Sequence, residues 1–275
     1  MLQLTSDDCP RTNGMPMLGL GTWQNEDPEQ CAESVRTALE TGYRHIDTAH
    51  LYGNEEAVGE GLAQADVPRE DVFLATKLWY DDLSYEDALA STEERLDVLG
   101  VDYLDMLYIH WPVDTYDPEE TFLALEELHE RGLIERVGIS NFEPEDMETA
   151  AEVCDVPIFA NQVECHPFLP QEDVRAKAEE LDMEVVAYSP LARGGVFESE
   201  TLTEIAEAND ASAAQVSLAW LLEKDITPIP KATSSAHIED NWGALALDLS
   251  DEEIARIDAI EEVDRKIDPD FAPWN

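Results

Sequence analysis

Four residues of this chain have types and positions suited to protonating a carbonyl oxygen: Asp47, Tyr52, Lys77 and His110. Three of them close short apolar runs. Asp47 ends Arg44-His-Ile-Asp, Lys77 ends Val72-Phe-Leu-Ala-Thr-Lys, and His110 ends Tyr103-Leu-Asp-Met-Leu-Tyr-Ile-His. Tyr52 falls in the loop after Asp47. A free phenol, with a pKa of about 10, holds its proton too tightly for efficient donation near neutrality. A lysine hydrogen-bonded to it would stabilise the phenolate and lower that value. A carboxylate would hold the lysine, and a histidine would donate to the substrate oxygen and orient it. Taken singly, each has a plainer reading. Asp47 and Lys77 would be a structural ion pair, Tyr52 a half-buried aromatic, and His110 a satisfied histidine at a strand end. Together they point to carbonyl-reducing chemistry.

The elements that must carry these residues read as alternating strands and helices. Strand candidates are Leu18-Gly-Leu-Gly, Arg44–Thr48, Val72–Lys77, Tyr103–His110, Glu135–Ser140, Ile158–Val163, Glu184–Ser189 and Thr227–Pro230. A helical stretch follows each, which argues for βα units and a parallel sheet. Ala32–Leu39 and Leu123–Leu128 carry apolar residues at helical spacing, and Ser250-Asp-Glu-Glu253 opens a final helix with a capping-box pattern. Polar or aromatic residues recur at the strand ends: Asp47, Lys77, His110, Ser140-Asn141, Asn161-Gln162, Tyr188-Ser189 and Lys231. In a (β/α)8 barrel such ends converge on one mouth, whereas an open sheet would string them along an edge. Gly19-Leu-Gly21 continues as Thr-Trp-Gln, so the dinucleotide-binding glycine fingerprint of open sheets is missing. The expected fold is α/β: one (β/α)8 TIM barrel domain over residues 1–275. An N-terminal β-hairpin within Leu2–Met17 closes its bottom, and an extra helix lies at the C-terminus.

Composition narrows the setting. Asp and Glu number 63 against 16 Lys plus Arg, a formal net charge of -47 spread along the whole chain. Self-repulsion on that scale destabilises a compact state in dilute salt. At 1 M salt the Debye length falls to about 3 Å, which removes most of the penalty. The expectation is a halophilic, salt-adapted protein. Nucleic acid and anionic membranes are disfavoured as partners, because both are negative. No basic start with an apolar core opens the chain, and no apolar run approaches the roughly 20 residues of a membrane helix. Cys9, Cys31, Cys154 and Cys165 are scattered with no Cys-x-x-Cys pair, so neither disulfides nor a metal site is expected, and a cytoplasmic location is. Metal-dependent hydrolysis is disfavoured too, since His45, His50, His110 and His166 form no His-x-His pair.

From about Gly14 to Asn241 the chain resembles the aldo-keto reductase family, and looks closest to its prokaryotic branch of 2,5-diketo-gluconate reductases. The segments are Gly42-Tyr-Arg-His-Ile-Asp-Thr-Ala, Tyr52-Gly-Asn-Glu, Thr76-Lys-Leu-Trp, Ile109-His-Trp-Pro, Val137-Gly-Ile-Ser-Asn-Phe, Asn161-Gln-Val-Glu-Cys-His-Pro, Tyr188-Ser-Pro-Leu and Ile229-Pro-Lys. Each alone is weak; all of them in order at barrel spacing are specific. The resemblance implies hydride transfer from a nicotinamide cofactor to an aldehyde or ketone, with Tyr52 as proton donor and Asp47, Lys77 and His110 in the roles above.

It further implies that Tyr188 stacks on the nicotinamide and that Ser140, Asn141 and Gln162 bond its carboxamide, a group needing donors and acceptors. Ser189 and Leu191 would line the pyrophosphate. Lys231, Thr233, His237 and Asn241 would meet the adenosine end. There the chain departs from the family pattern, with Ala232 for serine, His237 for arginine and Asp240 for glutamate. Histidine grips a phosphate less firmly than arginine. The expectation is NADPH preferred, with appreciable NADH use. Trp23, Trp79 and Trp111 match positions that wall the substrate pocket; set apart from the family they read as core aromatics. The tail Asp268–Asn275, with Phe271 and Trp274, is short, so an open site for small aldehydes, keto-aldehydes or keto-sugars is expected, in a monomer. The alternative is a cofactor-binding sensor on the same fold, which would need neither Tyr52 nor Lys77.

Overall fold

The computed structural model describes residues 4–275. An antiparallel hairpin, β1 (Arg11–Thr12) and β2 (Met15–Pro16), comes first. Its turn is Asn13-Gly14, both with positive φ, the two-residue turn whose twist matches the flanking strands. Eight parallel strands follow: β3 (Leu20–Gly21), β4 (His45–Asp47), β5 (Phe73–Leu78), β6 (Met106–Ile109), β7 (Val137–Ser140), β8 (Ile158–Glu164), β9 (Glu184–Tyr188) and β10 (Ile226–Pro228). Each pairs with the next in chain order. The ends of the sheet meet where the Gly19 and Gly21 amides donate to the Pro228 and Pro230 carbonyls at 3.0 and 3.2 Å. A β-carbon at residue 21 would lie 2.6 Å from the Ile229 carbonyl oxygen, so the closure needs glycine there. This is the expected (β/α)8 barrel.

The hairpin covers the N-terminal end, as expected. Met15 is fully buried in the barrel interior, and Thr12 and Asn13 donate to the Glu184 carboxylate at the start of β9. Leu2 and Gln3, which the expected hairpin segment includes, lie outside the described residues. Most strands are shorter than the apolar runs suggest, although β5 matches its run in length and β8 runs one residue longer. Leu104 makes only an isolated bridge to Ile134, and the Asp105 carboxylate accepts the Leu74 amide proton, so the β6 ladder starts at Met106.

Among the described residues ten helices surround the sheet: α1 (Pro28–Thr41), α2 (Glu55–Gln64), α3 (Tyr85–Leu99), α4 (Pro118–Glu130), α5 (Pro144–Val153), α6 (Glu172–Glu180), α7 (Glu200–Ala208), α8 (Ala213–Leu222), α9 (Ser235–Trp242) and the C-terminal α10 (Asp251–Asp258). Local chemistry sets several starts. Asp27 and Asp117 accept the amides of Gln30 and Glu120, each followed by proline at the first helical position. Ser250 and Glu253 form the expected capping box on α10.

The barrel interior is filled by Met15, Phe73, Ala75, Met106, Tyr108, Ala160, Val186 and Ile229. Side chains alternate faces along a strand, so positions two further on face inward as well. Those positions are Lys77 after Ala75, His110 after Tyr108, Gln162 after Ala160, and Tyr188 after Val186. The packed interior thus gives way, one layer nearer the C-terminal mouth, to a layer of polar and aromatic groups.

Candidate active site

Asp47, at the end of β4, and Lys77, in β5, form a buried ion pair with Nζ 2.5 Å from Oδ1. The Lys77 ammonium also donates to the Thr48 carbonyl at 2.8 Å and to the Tyr52 hydroxyl at 3.4 Å. Tyr52 sits on a single 3-10 turn, His50–Tyr52, stopped by Gly53 in the left-handed region. Asn54 anchors that turn. Its Nδ2 donates to the carbonyls of Thr22 and Asn25, and its Oδ1 accepts from Thr48 Oγ1. His110 follows β6 and lies edge-on to Tyr52 and to Trp79, with ring centroids 5.9 and 5.0 Å away. The four candidate residues therefore share one small volume.

Burial governs their electrostatics. His110 is held well below the usual imidazole range by desolvation, reinforced by the nearby Lys77 charge. Lys77 is also lowered by burial, with Asp47 opposing. Tyr52 runs against the expectation. Its pKa is pushed well above 10 by burial and then by the Asp47 carboxylate. The main cause is desolvation, since a buried phenolate loses its water, and the neighbouring Asp47 carboxylate adds to it.

Asp47, Tyr52 and His110, with Lys77 behind them, front a cavity of about 710 Å³ at the barrel mouth. Trp23, Trp79, Trp111, Asp47, Tyr52 and His110 form part of its wall, and so do Asn141, Gln162, Tyr188, Ser189, Leu191 and Lys231. Ser140 lies beneath, with Oγ donating to the Gln162 carbonyl at 2.8 Å. Thr233, His237 and Asn241 are not in that wall. They sit just before and along α9, with Asn241 buried and His237 exposed.

The amides are already engaged. Asn141 Nδ2 donates to the His110 carbonyl and to Ser140 Oγ, and its Oδ1 accepts from the Tyr188 hydroxyl at 2.8 Å. Gln162 Nε2 donates to Asp47 Oδ2 at 2.8 Å. Both side chains hold other site residues in place while fronting the cavity.

The sequence matches the Aldo/keto reductase family over residues 17–262. The chain belongs to the aldo-keto reductases. The glyoxal reductase of Bacillus subtilis is 39% identical over 252 residues, covering 91% of each chain. A protein provisionally called 2,5-diketo-D-gluconic acid reductase B has a crystal structure that superposes with a TM-score of 0.90 at 35% identity, covering 99% of this chain and 96% of that one. The Bombyx mori aldo-keto reductase, crystallised with NADP, superposes with a TM-score of 0.85 at 32% identity, covering 91% of both.

Two features of this aldo-keto reductase were not read from its sequence. Arg193, in the loop after β9, stacks its guanidinium 4.9 Å from the Trp23 ring centre and donates to Gln24 Oε1 at 3.4 Å, joining two loops across the end of β10. Ser189, Ala192 and Arg193 all take left-handed backbone there, each at a cost of about 1–3 kcal/mol for a residue with a β-carbon. The Gly194-Gly195 pair beside one of only 16 basic residues is the signal that could have found this loop. The second is Asn54. In the tail, which the sequence reading did single out, Phe271 packs edge-on against Trp79, Tyr80 and Trp111, and Trp274 packs on Trp111.

Proposed function

We propose that this protein reduces small aldehydes, keto-aldehydes or keto-sugars to alcohols, using a nicotinamide cofactor with NADPH preferred and NADH accepted. The observation that carries the reading is the Lys77 ammonium bonded to both Asp47 and the Tyr52 hydroxyl directly behind a cavity that His110 also fronts. The cavity suits the cofactor. One continuous space runs from Tyr52 and His110, past the Tyr188 ring and the Asn141 and Gln162 amides, to the cations Arg193 and Lys231. A flat ring beside amides fits a carboxamide-bearing ring, and cations fit phosphate. When bound, the cofactor supplies the hydride. Tyr52 delivers the proton to the alkoxide oxygen, and Lys77 stabilises the phenolate that remains. His110, neutral because of its burial, donates a hydrogen bond to the substrate oxygen and orients it. Asp47 fixes Lys77. Trp23, Trp79 and Trp111 provide apolar walls for the carbon skeleton. The name of the glyoxal reductase relative supports small dicarbonyl substrates.

The reading includes a monomeric, salt-adapted protein of the cytoplasm, supported by the charge of -47 and by four unpaired cysteines. Thermal midpoints that fail to rise between dilute and about 2 M KCl would remove the salt adaptation. The test of the activity is NADPH oxidation with methylglyoxal and a diketo-sugar acid in about 2 M KCl, with NADH in parallel. Turnover should disappear in Tyr52→Phe while cofactor binding persists. Undiminished turnover in that variant, or none in the parent with cofactor bound, would refute the assignment.

A further inference from the structure

The segment Asn161-Gln-Val-Glu-Cys-His-Pro contains a carboxylate that the reaction does not use. Glu164, the last residue of β8, is fully buried. It lies on the inward face with Ala160 and Gln162, and no lysine or arginine pairs with it among the described residues. A buried carboxylate without a cation is costly unless donors surround it. Here the donors come mainly from far along the chain. Glu164 Oε1 accepts the backbone N–H of Lys266 and Oε2 that of Ile267, both at 2.7 Å, and His166 Nε2 lies 2.9 Å from Oε1. Charge-assisted hydrogen bonds of this kind are among the stronger ones.

The residues held are the base of the tail. Lys266, Ile267, Asp268, Pro269 and Phe271 all line the cavity. Phe271 closes against Trp79 and Trp111, the aromatic walls beside His110. A second tie, from the Asp264 amide to the Phe168 carbonyl, lies just upstream. Among the described residues the rest of the tail's hydrogen bonding is local, with Trp274 and Asn275 donating back to Asp268. The two amides on Glu164 therefore fix where the aromatic end of the tail sits over the cavity.

We propose that Glu164 is a positioning residue for substrate selection: by clasping the Lys266 and Ile267 amides it presses the Phe271 end of the tail onto the cavity, so that compact carbonyl substrates fit and bulky ones do not. The clasp rests on the reading of this cavity as the substrate site. It touches neither substrate nor cofactor, and its effect belongs in KM and in selectivity.

Glu164→Gln keeps the shape, removes the charge and turns one acceptor into a donor facing an N–H. Three readouts test it. Trypsin cuts after Arg265 or Lys266 only if that backbone leaves Glu164, so release of the C-terminal peptide, followed by mass spectrometry, reports opening. In Glu164→Gln release should be about tenfold faster. The KM ratio of a bulky aromatic aldehyde to methylglyoxal should fall by about tenfold, while kcat for methylglyoxal and cofactor affinity, by tryptophan fluorescence, stay within about threefold. Phe271→Ala should reproduce the KM shift with peptide release unchanged, and it remains decisive if Glu164→Gln does not fold. Unchanged peptide release in a folded Glu164→Gln protein would overturn the clasp. So would a loss of cofactor affinity in parallel with KM, or a Phe271→Ala enzyme with the parent's selectivity. If the parent turns over no carbonyl, the functional reading fails, whereas peptide release still reports on the clasp.

Discussion

Gln162 donates its side-chain amide to Asp47 Oδ2 at 2.8 Å, the oxygen that Lys77, bonded to Oδ1, leaves open. Both carboxylate oxygens of a buried acid are thereby satisfied, one by a charge and one by an amide. Gln162 is thus tied to the Asp47–Lys77–Tyr52 cluster as well as fronting the cavity. Gln162→Met should leave that oxygen unpaired in a desolvated place. Loss of a hydrogen bond to a charged group costs about 1.5–3 kcal/mol. Urea unfolding should show a loss of that order, and kcat should fall as Lys77 loses its fixed partner. Parent-like stability and kcat would mean that the bond has no energetic role.

The direction of turnover should have opposite pH dependences. Tyr52 is held well above its ordinary pKa by burial and Asp47, and His110 well below its own by burial and Lys77. Near neutrality the phenol is protonated and the imidazole neutral, the forms that reduction requires. The reductive kcat should therefore be flat from about pH 6 to 8. Alcohol oxidation needs the phenolate, so its rate should climb with pH through the same range. A reductive profile with a break near 6.5, the ordinary imidazole value, would show that His110 titrates within the working range.

Much of this site is legible in the chain because strand periodicity is. Asp47, Lys77 and His110 sit inward at strand ends, and apolar runs mark those ends to within a residue or two. Asn13-Gly14 is an equally plain hairpin signal. The direction of the Tyr52 shift was not legible, because it depends first on how fully the fold takes the phenol out of water and then on the nearby Asp47 carboxylate, both matters of tertiary packing. Nor was the arrangement of Asn141 and Gln162, whose amides suit a carboxamide by type yet donate to His110, Ser140 and Asp47. The Arg193 loop escaped because Gly194-Gly195 marks a turn without showing that Ala192 and Arg193 are left-handed or that Arg193 reaches Trp23. Glu164 and His166 could be read only as parts of a motif until the tail, about a hundred residues later, was placed against them.

Acid should weaken the fold through its buried histidines. Burial lowers His45 from 6.5 to about 4, with its Nδ1 3.1 Å from the Pro16 carbonyl and its Nε2 unpartnered among the described residues. Between those two values the unfolded chain binds a proton that the folded one refuses. Stability must rise with pH across that window and level off above it. His45 alone contributes about 3 kcal/mol between pH 4 and 7, and His110 adds to the same slope. His45→Asn, which can still donate to Pro16, should flatten the dependence in urea unfolding at fixed high salt. An unaltered slope would mean that His45 is already charged in the fold.

On the proposed reading, in which α9 meets the 2′-phosphate, cofactor choice should turn on His237. It lies exposed in the first turn of α9, where its own backbone amide is capped by Ser234 Oγ at 3.3 Å. Lys231, also exposed, lines the adjoining end of the cavity. A 2′-phosphate reaching this region would meet the Lys231 side chain and an imidazole, which offers a phosphate fewer donors than a guanidinium. His237→Arg adds a charged, forked donor matched to phosphate. Exposed pairs are worth about 0.2–1 kcal/mol, so the KM for NADPH should fall by about threefold in dilute salt. The KM for NADH, which has no 2′-phosphate, should hold. At about 2 M KCl the screening length is only a few ångströms and the Coulombic part of the gain should shrink. Any advantage that survives there must come from direct hydrogen bonds between the guanidinium and the phosphate. Comparing the two cofactors at both salt levels therefore separates charge from contact. Equal improvement with NADH, or none with NADPH at either salt level, would place the 2′-phosphate away from α9.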